Sequence, residues 1–286
     1  MFELYKPICE VGSGRSGTNF LARIVSQHED VAFLYSPKYI WRYGNAWWPD
    51  DCLTAEHASP RVVRYIRRRF ADYVSKCDKK RLFEHTQANV LALPFVNSVL
   101  PDSKIIHIIR DGRDVAASLR KMWHTKPKKQ FTQRIPSRLK GVPKTDLLAY
   151  LPEFLKTMWY RTVKKQNYSF GPKIKNWQKL RDDYDILEFT AITWRECVSS
   201  AMRFGRMLPP GRYYEINFED LFTRTDEVID ELLDFLELTH SESVRRYIHE
   251  NIRPSACGRY QKDLTQDELK KILHHAGDLL KELNMI

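Results

Sequence analysis

Residues 12–20 read Gly-Ser-Gly-Arg-Ser-Gly-Thr-Asn-Phe, a run whose residue types and spacing suit the binding of phosphate. It follows the apolar run Ile8-Cys9-Glu10-Val11 and leads into Phe20-Leu21-Ala22-Arg23-Ile24-Val25, so the context is strand, glycine-rich turn, helix. There, backbone N–H groups and the positive end of the helix converge on an anion, and glycines let the chain approach it closely. A nucleotide hydrolase or kinase would carry Gly-x-x-x-x-Gly-Lys-[Ser/Thr]. Gly12 and Gly17 keep that spacing, but Thr18 stands in the lysine's place and the cation is Arg15, inside the loop. The loop therefore suits phosphate without the usual triphosphate and Mg²⁺ machinery. Glycine and serine in such a turn also have a purely conformational use.

A second anion site lies at Lys104-Ile105-Ile106-His107-Ile108-Ile109-Arg110-Asp111-Gly112-Arg113-Asp114. The isoleucine-rich run reads as a buried parallel strand and residues 111–122 as the helix after it. Arg110 then sits at the carboxyl end of the strand, where open α/β sheets place ligands, and Ser118 lies two helical turns further on. An arginine fork with a hydroxyl can grip a phosphate. The alternative is a helix-start ion pair of Arg110 with Asp111 or Asp114, with Ser118 incidental.

Together these motifs resemble the sulfotransferase superfamily, whose donor is 3′-phosphoadenosine 5′-phosphosulfate (PAPS). Its 5′-phosphosulfate loop, [Lys/Arg]-Ser-Gly-[Thr/Ser], is matched by Arg15-Ser16-Gly17-Thr18, and its 3′-phosphate pair by Arg110 and Ser118. A C-terminal Arg-Lys-Gly-x-x-Gly-Asp-Trp segment is echoed by residues 253–260, where Arg253, Gly258 and Tyr260 keep the spacing and Pro254, Ser255 and Arg259 depart from it. The resemblance implies donor contacts from Gly14, Arg15, Ser16, Gly17, Thr18, Asn19, Arg110, Ser118, Arg253, Gly258 and Arg259. It implies PAPS as cofactor, 3′,5′-bisphosphoadenosine (PAP) as product, and no required metal. The fold implied is three-layer α/β, P-loop NTPase-like, with a central parallel sheet flanked by helices. Two rivals stay open: a P-loop kinase with Asp111 as its metal-binding acid, and a nucleotide-binding protein that has lost catalysis.

Sulfuryl transfer needs charge stabilisation on the departing phosphate and an acceptor oxygen with a base beside it. Arg15 and the loop amides suit the first need. The second points to Glu84-His85-Thr86-Gln87. Cytosolic relatives have Lys-Thr-His here, with the histidine as base; aligned on Thr86, this chain puts Gln87 in the histidine's place. Glutamine cannot take a proton, so Glu84 and His85 become the candidates, either tunable by burial. The alternative makes them a polar pair that only supports the loop. Residues 35–38, where some branches hold a glutamate, contain no acid.

Length and composition frame these motifs. The 286 residues carry a net charge of +11, yet residues 121–182 hold sixteen Lys and Arg against three Asp and Glu, a surplus of +13 that leaves −2 elsewhere. The expectation is one domain over residues 1–286 with a basic, substrate-side insertion at about 123–182. Such a patch suits an anionic glycan or acidic lipid surface, or is a solvated loop. Nucleic acid is not expected, because no recognition module accompanies the charge. The acceptor is expected to be a hydroxyl or amine, on a carbohydrate, other glycan-like or lipid-linked molecule, anionic or membrane-associated. Five scattered cysteines and the absence of a leader-like or membrane-length apolar run point to a cytoplasmic protein.

The positioning elements follow from periodicity. Strands are expected at 8–11, 81–84, 104–109 and 213–216, and helices at 60–76, 88–100, 183–207 and 225–236, with Pro94 kinking the second of these or marking a turn. Thr225 is expected to cap its helix and Thr265 to open the last helix as a capping box with Glu268. Trp194 is either an adenine wall or core. The aromatic cluster at 39–49 is either a loop over the donor site, suited to a ring-bearing acceptor, or a lid packed on the core.

Overall fold

The computed structural model describes residues 3–123, 144–163, 171–252 and 257–286. Five strands, β1 (Ile8–Val11), β2 (Val31–Tyr35), β3 (Arg81–His85), β4 (Lys104–Ile109) and β5 (Tyr213–Asn217), form one parallel sheet in the order β2-β3-β1-β4-β5. Every residue of β1, β3 and β4 is buried, as expected of strands covered on both faces. β2 was not anticipated from sequence. It is a five-residue edge strand, too short for periodicity to separate it from loop, although Asp30 and Pro37 bracket its apolar run.

The helices are α1 (Thr18–Val25), α2 (Lys38–Trp41), α3 (Pro60–Lys76), α4 (Leu93–Val99), α5 (Gly112–Trp123), α6 (Lys144–Thr162), α7 (Trp177–Asp183), α8 (Ile186–Gly205), α9 (Asp220–Thr223), α10 (Thr225–Leu236), α11 (Glu242–Asn251), α12 (Tyr260–Asp263) and α13 (Gln266–Glu282). One sheet face packs Cys9, Val11 and Ile105 against Phe70, Phe95 and Cys197 of α3, α4 and α8. The other packs Ile8, Ile106 and Ile108 against Ile24 of α1 and Leu232 of α10. A third cluster joins α5, α8 and α13 through Val115, Trp194 and Ile272. The result is the three-layer α/β arrangement expected from the sequence.

Some ends differ from expectation. Residues 87–91 form a 3₁₀ turn, and Pro94 falls in the first turn of α4, where its missing N–H costs nothing. Arg224, not Thr225, is the N-cap of α10, because the Thr225 hydroxyl donates to the Leu221 carbonyl 2.9 Å away. Thr265 does cap α13 in a capping box with Glu268. Asp185 does the same for α8 with Glu188, so the helix begins three residues later than the pattern suggested. Among the described residues no helix is long and apolar enough to cross a membrane.

Candidate functional site

β1 ends at Val11 in the middle of the sheet, and the loop that follows turns sharply into α1. Arg15 adopts φ 70° and Gly17 φ 97°, both left-handed. At Gly17 a Cβ atom would lie 2.2 Å from Phe218 Cδ2, so only glycine fits there. Gly14 lies against Gly171, whose Cα is 3.4 Å from the position a Gly14 Cβ would take. The loop is braced from inside: the Ser16 hydroxyl donates to the Ser13 carbonyl at 2.8 Å, and Gln87 Nε2 donates to Thr18 Oγ1 at 2.7 Å. Gln87, in the place of the usual base, thus ties the end of β3 to the phosphate loop. Thr18 and the exposed Asn19 open α1 at its positive end, while the Phe20 N–H that follows donates to the Gly17 carbonyl at 2.8 Å. The buried Ser13 hydroxyl has no hydrogen-bond partner among the described residues.

The two anion motifs meet directly. Arg15 Nε donates to Ser118 Oγ at 3.1 Å, and Arg110 Nη1 donates to the Arg15 carbonyl at 3.1 Å. Phe218 lies 4.7 Å under the Arg110 guanidinium, and Trp194 Nε1 donates to the Arg110 carbonyl at 2.9 Å. Trp194 is 1% exposed, so of its two readings the core one holds. Phe20 and Phe222, stacked with centroids 6.0 Å apart, are a half-exposed aromatic pair directly after the loop that sequence reasoning passed over.

Asp114 is the joint that sequence reasoning weighed only as an ion-pair partner. Its carboxylate, 1% exposed, accepts from Gly258 N at 2.9 Å and Tyr260 N at 2.8 Å and pairs with Arg110 Nη2 at 3.4 Å. The C-terminal segment is thereby fastened to the Arg110 strand end. Arg253 lies outside the described residues; Gly258 and Arg259 lie within them. Burial first, then the like charges of Arg110 and Arg259, lowers the pKa of Arg15. An anion placed among these three guanidinium groups would relieve that repulsion, so the residues fit a multiply phosphorylated ligand. Asp111 forms an ion pair with Arg113 at 2.6 Å. Among the described residues no group of three or more His, Cys, Asp and Glu could hold a metal ion.

Glu84 and His85 occupy the end of β3 on opposite faces, because strand side chains alternate. Glu84, paired in register with Cys9, accepts from Trp41 Nε1 at 3.0 Å and Asn89 Nδ2 at 3.1 Å. Burial raises its pKa despite those donors. His85, in register with Glu10, has Nδ1 3.1 Å from Glu10 Oε2, a close ion pair without hydrogen-bond alignment. Burial pulls the His85 pKa down, but Glu10 outweighs it and the net direction is up. Burial pushes Glu10 up to about 7. The Tyr35 ring covers His85 with centroids 5.4 Å apart. The two candidates therefore belong to different environments.

The aromatic cluster also divides. Tyr39, Trp41 and Tyr43 pack on the core, whereas Trp47 and Trp48 are 68% and 44% exposed.

Comparison with known proteins agrees with this architecture. No curated protein matches the chain. Among solved structures, the sulfotransferase domain of the Synechococcus PCC 7002 olefin synthase superposes with a TM-score of 0.53 at 14% identity, covering 96% of each chain. A sulfotransferase domain from the curacin biosynthetic pathway gives 0.54 at 12% identity, covering 95% of this chain and 98% of that one. Mouse sulfotransferase SULT7A1, solved in complex with PAP, gives 0.51 at 15% identity, covering 99% and 90%. Identities this low speak for the shared fold alone. Membership rests on the sequence itself: the family model of the sulfotransferase domain matches residues 8–275, and the chain belongs to that family.

Proposed function

We propose that this protein transfers a sulfuryl group from PAPS to a hydroxyl or amine acceptor without a metal ion. The observation that carries the reading is the meeting of Arg15, Arg110 and Ser118 at the carboxyl end of the sheet, with Arg259 close enough to perturb Arg15. The solution of mouse SULT7A1 with PAP supports the choice of donor. When bound, PAPS supplies the activated sulfuryl group. Arg15 and the first-turn amides of α1 stabilise charge on the 5′-phosphate side, and Arg110 and Ser118 hold the 3′-phosphate. Gly14 gives the loop room for close approach, while Ser16, Gly17, Thr18 and Asn19 shape it. Gly258 and Arg259 contribute to the donor site from the C-terminal segment, and Arg253, which lies outside the described residues, is assigned to it by the family resemblance alone. Residues 1–286 act as one domain, with the basic stretch at about 123–182 on the substrate side.

Of the two strand-end candidates, we assign proton acceptance to Glu84. Burial raises its pKa, the direction that makes a carboxylate a better proton acceptor. It also shares a face with Trp41 and α2, whose first residue, Lys38, leads toward the exposed aromatics. His85, closed in by Glu10 and Tyr35, supports the loop. The experiment is incubation of the full chain with labelled PAPS and an acceptor panel, with mass spectrometry for added sulfate. Glu84→Gln should abolish transfer and leave PAP affinity intact. Mg²⁺-dependent ATP turnover, or retention of transfer in Glu84→Gln, would refute the respective parts of the assignment.

A further inference from the structure

Asp114 is a nearly buried carboxylate set among cations that the donor reading assigns to phosphate. Both of its oxygens are used. Oδ1 accepts from Tyr260 N at 2.8 Å, and Oδ2 accepts from Gly258 N at 2.9 Å and lies 3.4 Å from Arg110 Nη2. The two amides bracket Arg259, and Gly258 turns the chain there with φ 67°. One carboxylate thus fixes the backbone on both sides of Arg259 together with the guanidinium of Arg110. α5 meets the same segment through two other side chains: the Arg113 guanidinium lies 4.1 Å over the Tyr260 ring, and Arg120 donates to Glu268 and to the Asp263 carbonyl. Of these three residues of α5, Asp114 is the one that also pairs with Arg110.

The rest of the anion site is tied to the same helix. One turn beyond Asp114, Ser118 receives Arg15 Nε at 3.1 Å, and Arg110 Nη1 donates to the Arg15 carbonyl at 3.1 Å. Arg259 stands where the family pattern carries aspartate, so the third cation belongs to this chain in particular. Its side chain is 45% exposed and 3.8 Å from Asp263. Like charges repel, and an exposed arginine on an unheld segment would swing away from Arg15 and Arg110. Asp114 opposes this by gripping the backbone beside Arg259 rather than its guanidinium. Cations held in advance at one spacing bind a matching pair of phosphates with less ordering cost. A carboxylate in the first turn of α5 also suits that helix by itself, a role that predicts lost stability without lost selectivity.

We infer that Asp114 is a positioning residue for 3′-phosphate recognition, holding Arg110 and Arg259 at the separation that a doubly phosphorylated nucleotide requires. The inference rests on the donor reading, under which both arginines meet PAP. The test is calorimetric titration of the full chain, in Mg²⁺-free buffer, with PAP and with adenosine 5′-monophosphate (AMP), which lacks the 3′-phosphate. The wild type should prefer PAP by at least about ten-fold. Asparagine at 114 offers one acceptor oxygen and an NH₂ that only donates, so an amide or the Arg110 fork would face a donor. Asp114→Asn should therefore shrink the PAP-to-AMP affinity ratio by at least about five-fold, the worth of one net hydrogen bond, while AMP affinity changes by less than about two-fold. In an Arg259→Gln background the same substitution should shrink the ratio by less, because one of the two cations it holds is already gone. In the wild-type chain, whether or not the variant folds, PAP should slow hydrogen exchange at the Gly258 and Tyr260 amides more than AMP does at equal saturation. An unchanged ratio in Asp114→Asn, additive effects of the two substitutions, or equal protection by the two nucleotides would overturn the inference. Equal affinity of the wild type for PAP and AMP would refute the donor reading, and this role with it.

Discussion

Substituting Gly17 by alanine tests how the phosphate loop and Arg110 are held together. The added Cβ meets two opposing demands. Its backbone must keep φ 97°, which costs an L-residue about 1–2 kcal/mol. It must also coexist with Phe218, whose Cδ2 and Cε2 lie 2.2 and 2.4 Å from that Cβ, an overpacking worth about 1–3 kcal/mol. Gly17→Ala should therefore destabilise the fold by about 2–5 kcal/mol, from these two terms together. The terms separate in a double-mutant cycle. Phe218→Ala alone removes a nearly buried ring and should cost about 3–5 kcal/mol. In that background the steric part of Gly17→Ala disappears and only the backbone part stays, giving a coupling of about 1–3 kcal/mol. Because Phe218 also underlies Arg110, each single variant should weaken PAP binding. Urea unfolding of the four proteins, with PAP titration of each, measures both quantities. The reasoning is refuted if Gly17→Ala costs the same in both backgrounds, or if its stability lies within about 0.5 kcal/mol of wild type.

Three further outcomes are expected. Arg15→Ala and Arg110→Ala should each lower PAP affinity by roughly 10–150-fold, the loss of a charge-assisted contact worth about 1.5–3 kcal/mol, and should abolish transfer; titration with PAP in Mg²⁺-free buffer checks this. Trp194→Phe leaves the buried Arg110 carbonyl without its donor and should cost about 1–3 kcal/mol, read by denaturant melting. The Glu10–His85 pair should make stability fall as pH rises. Glu10 titrates near 7 when folded and near 4.5 when unfolded, so between those values the native state holds a proton that the unfolded chain has released. His85, whose pKa is also raised, contributes stability that is complete below 6.5 and lost as pH climbs through its folded value. Relative to Glu10→Gln, wild-type stability should decline by up to about 3 kcal/mol from pH 4.5 to 7, and a flat or rising difference counts against the pairing.

The central strands and the phosphate loop were legible because local chemistry alone specifies them. Continuous apolar runs at residues 8–11 and 104–109 leave few alternatives to buried parallel strands, and the Arg15–Thr18 run follows the first of them directly. Arg110 and Ser118 could be paired from helical spacing. What spacing could not show is that Ser118 receives Arg15, or that Asp114 accepts amides from a segment 144 and 146 residues away. Contacts at that range depend on where helices pack, which no short motif encodes. The edge strand β2 escaped notice because five residues carry too little pattern. The strand-end candidates at 84 and 85 were found together but not told apart, although alternation alone places neighbours on opposite faces.

That separation has a consequence for how the protein can change. Adjacent residues of one strand end face two compartments, with Glu84 among Trp41 and Asn89 and His85 among Glu10 and Tyr35. Substitutions can therefore retune acid–base behaviour on one side while adjusting the pH range of folding on the other. A single-residue slip of β3 would exchange the two roles, so the register of one five-residue strand keeps two independent traits from becoming one.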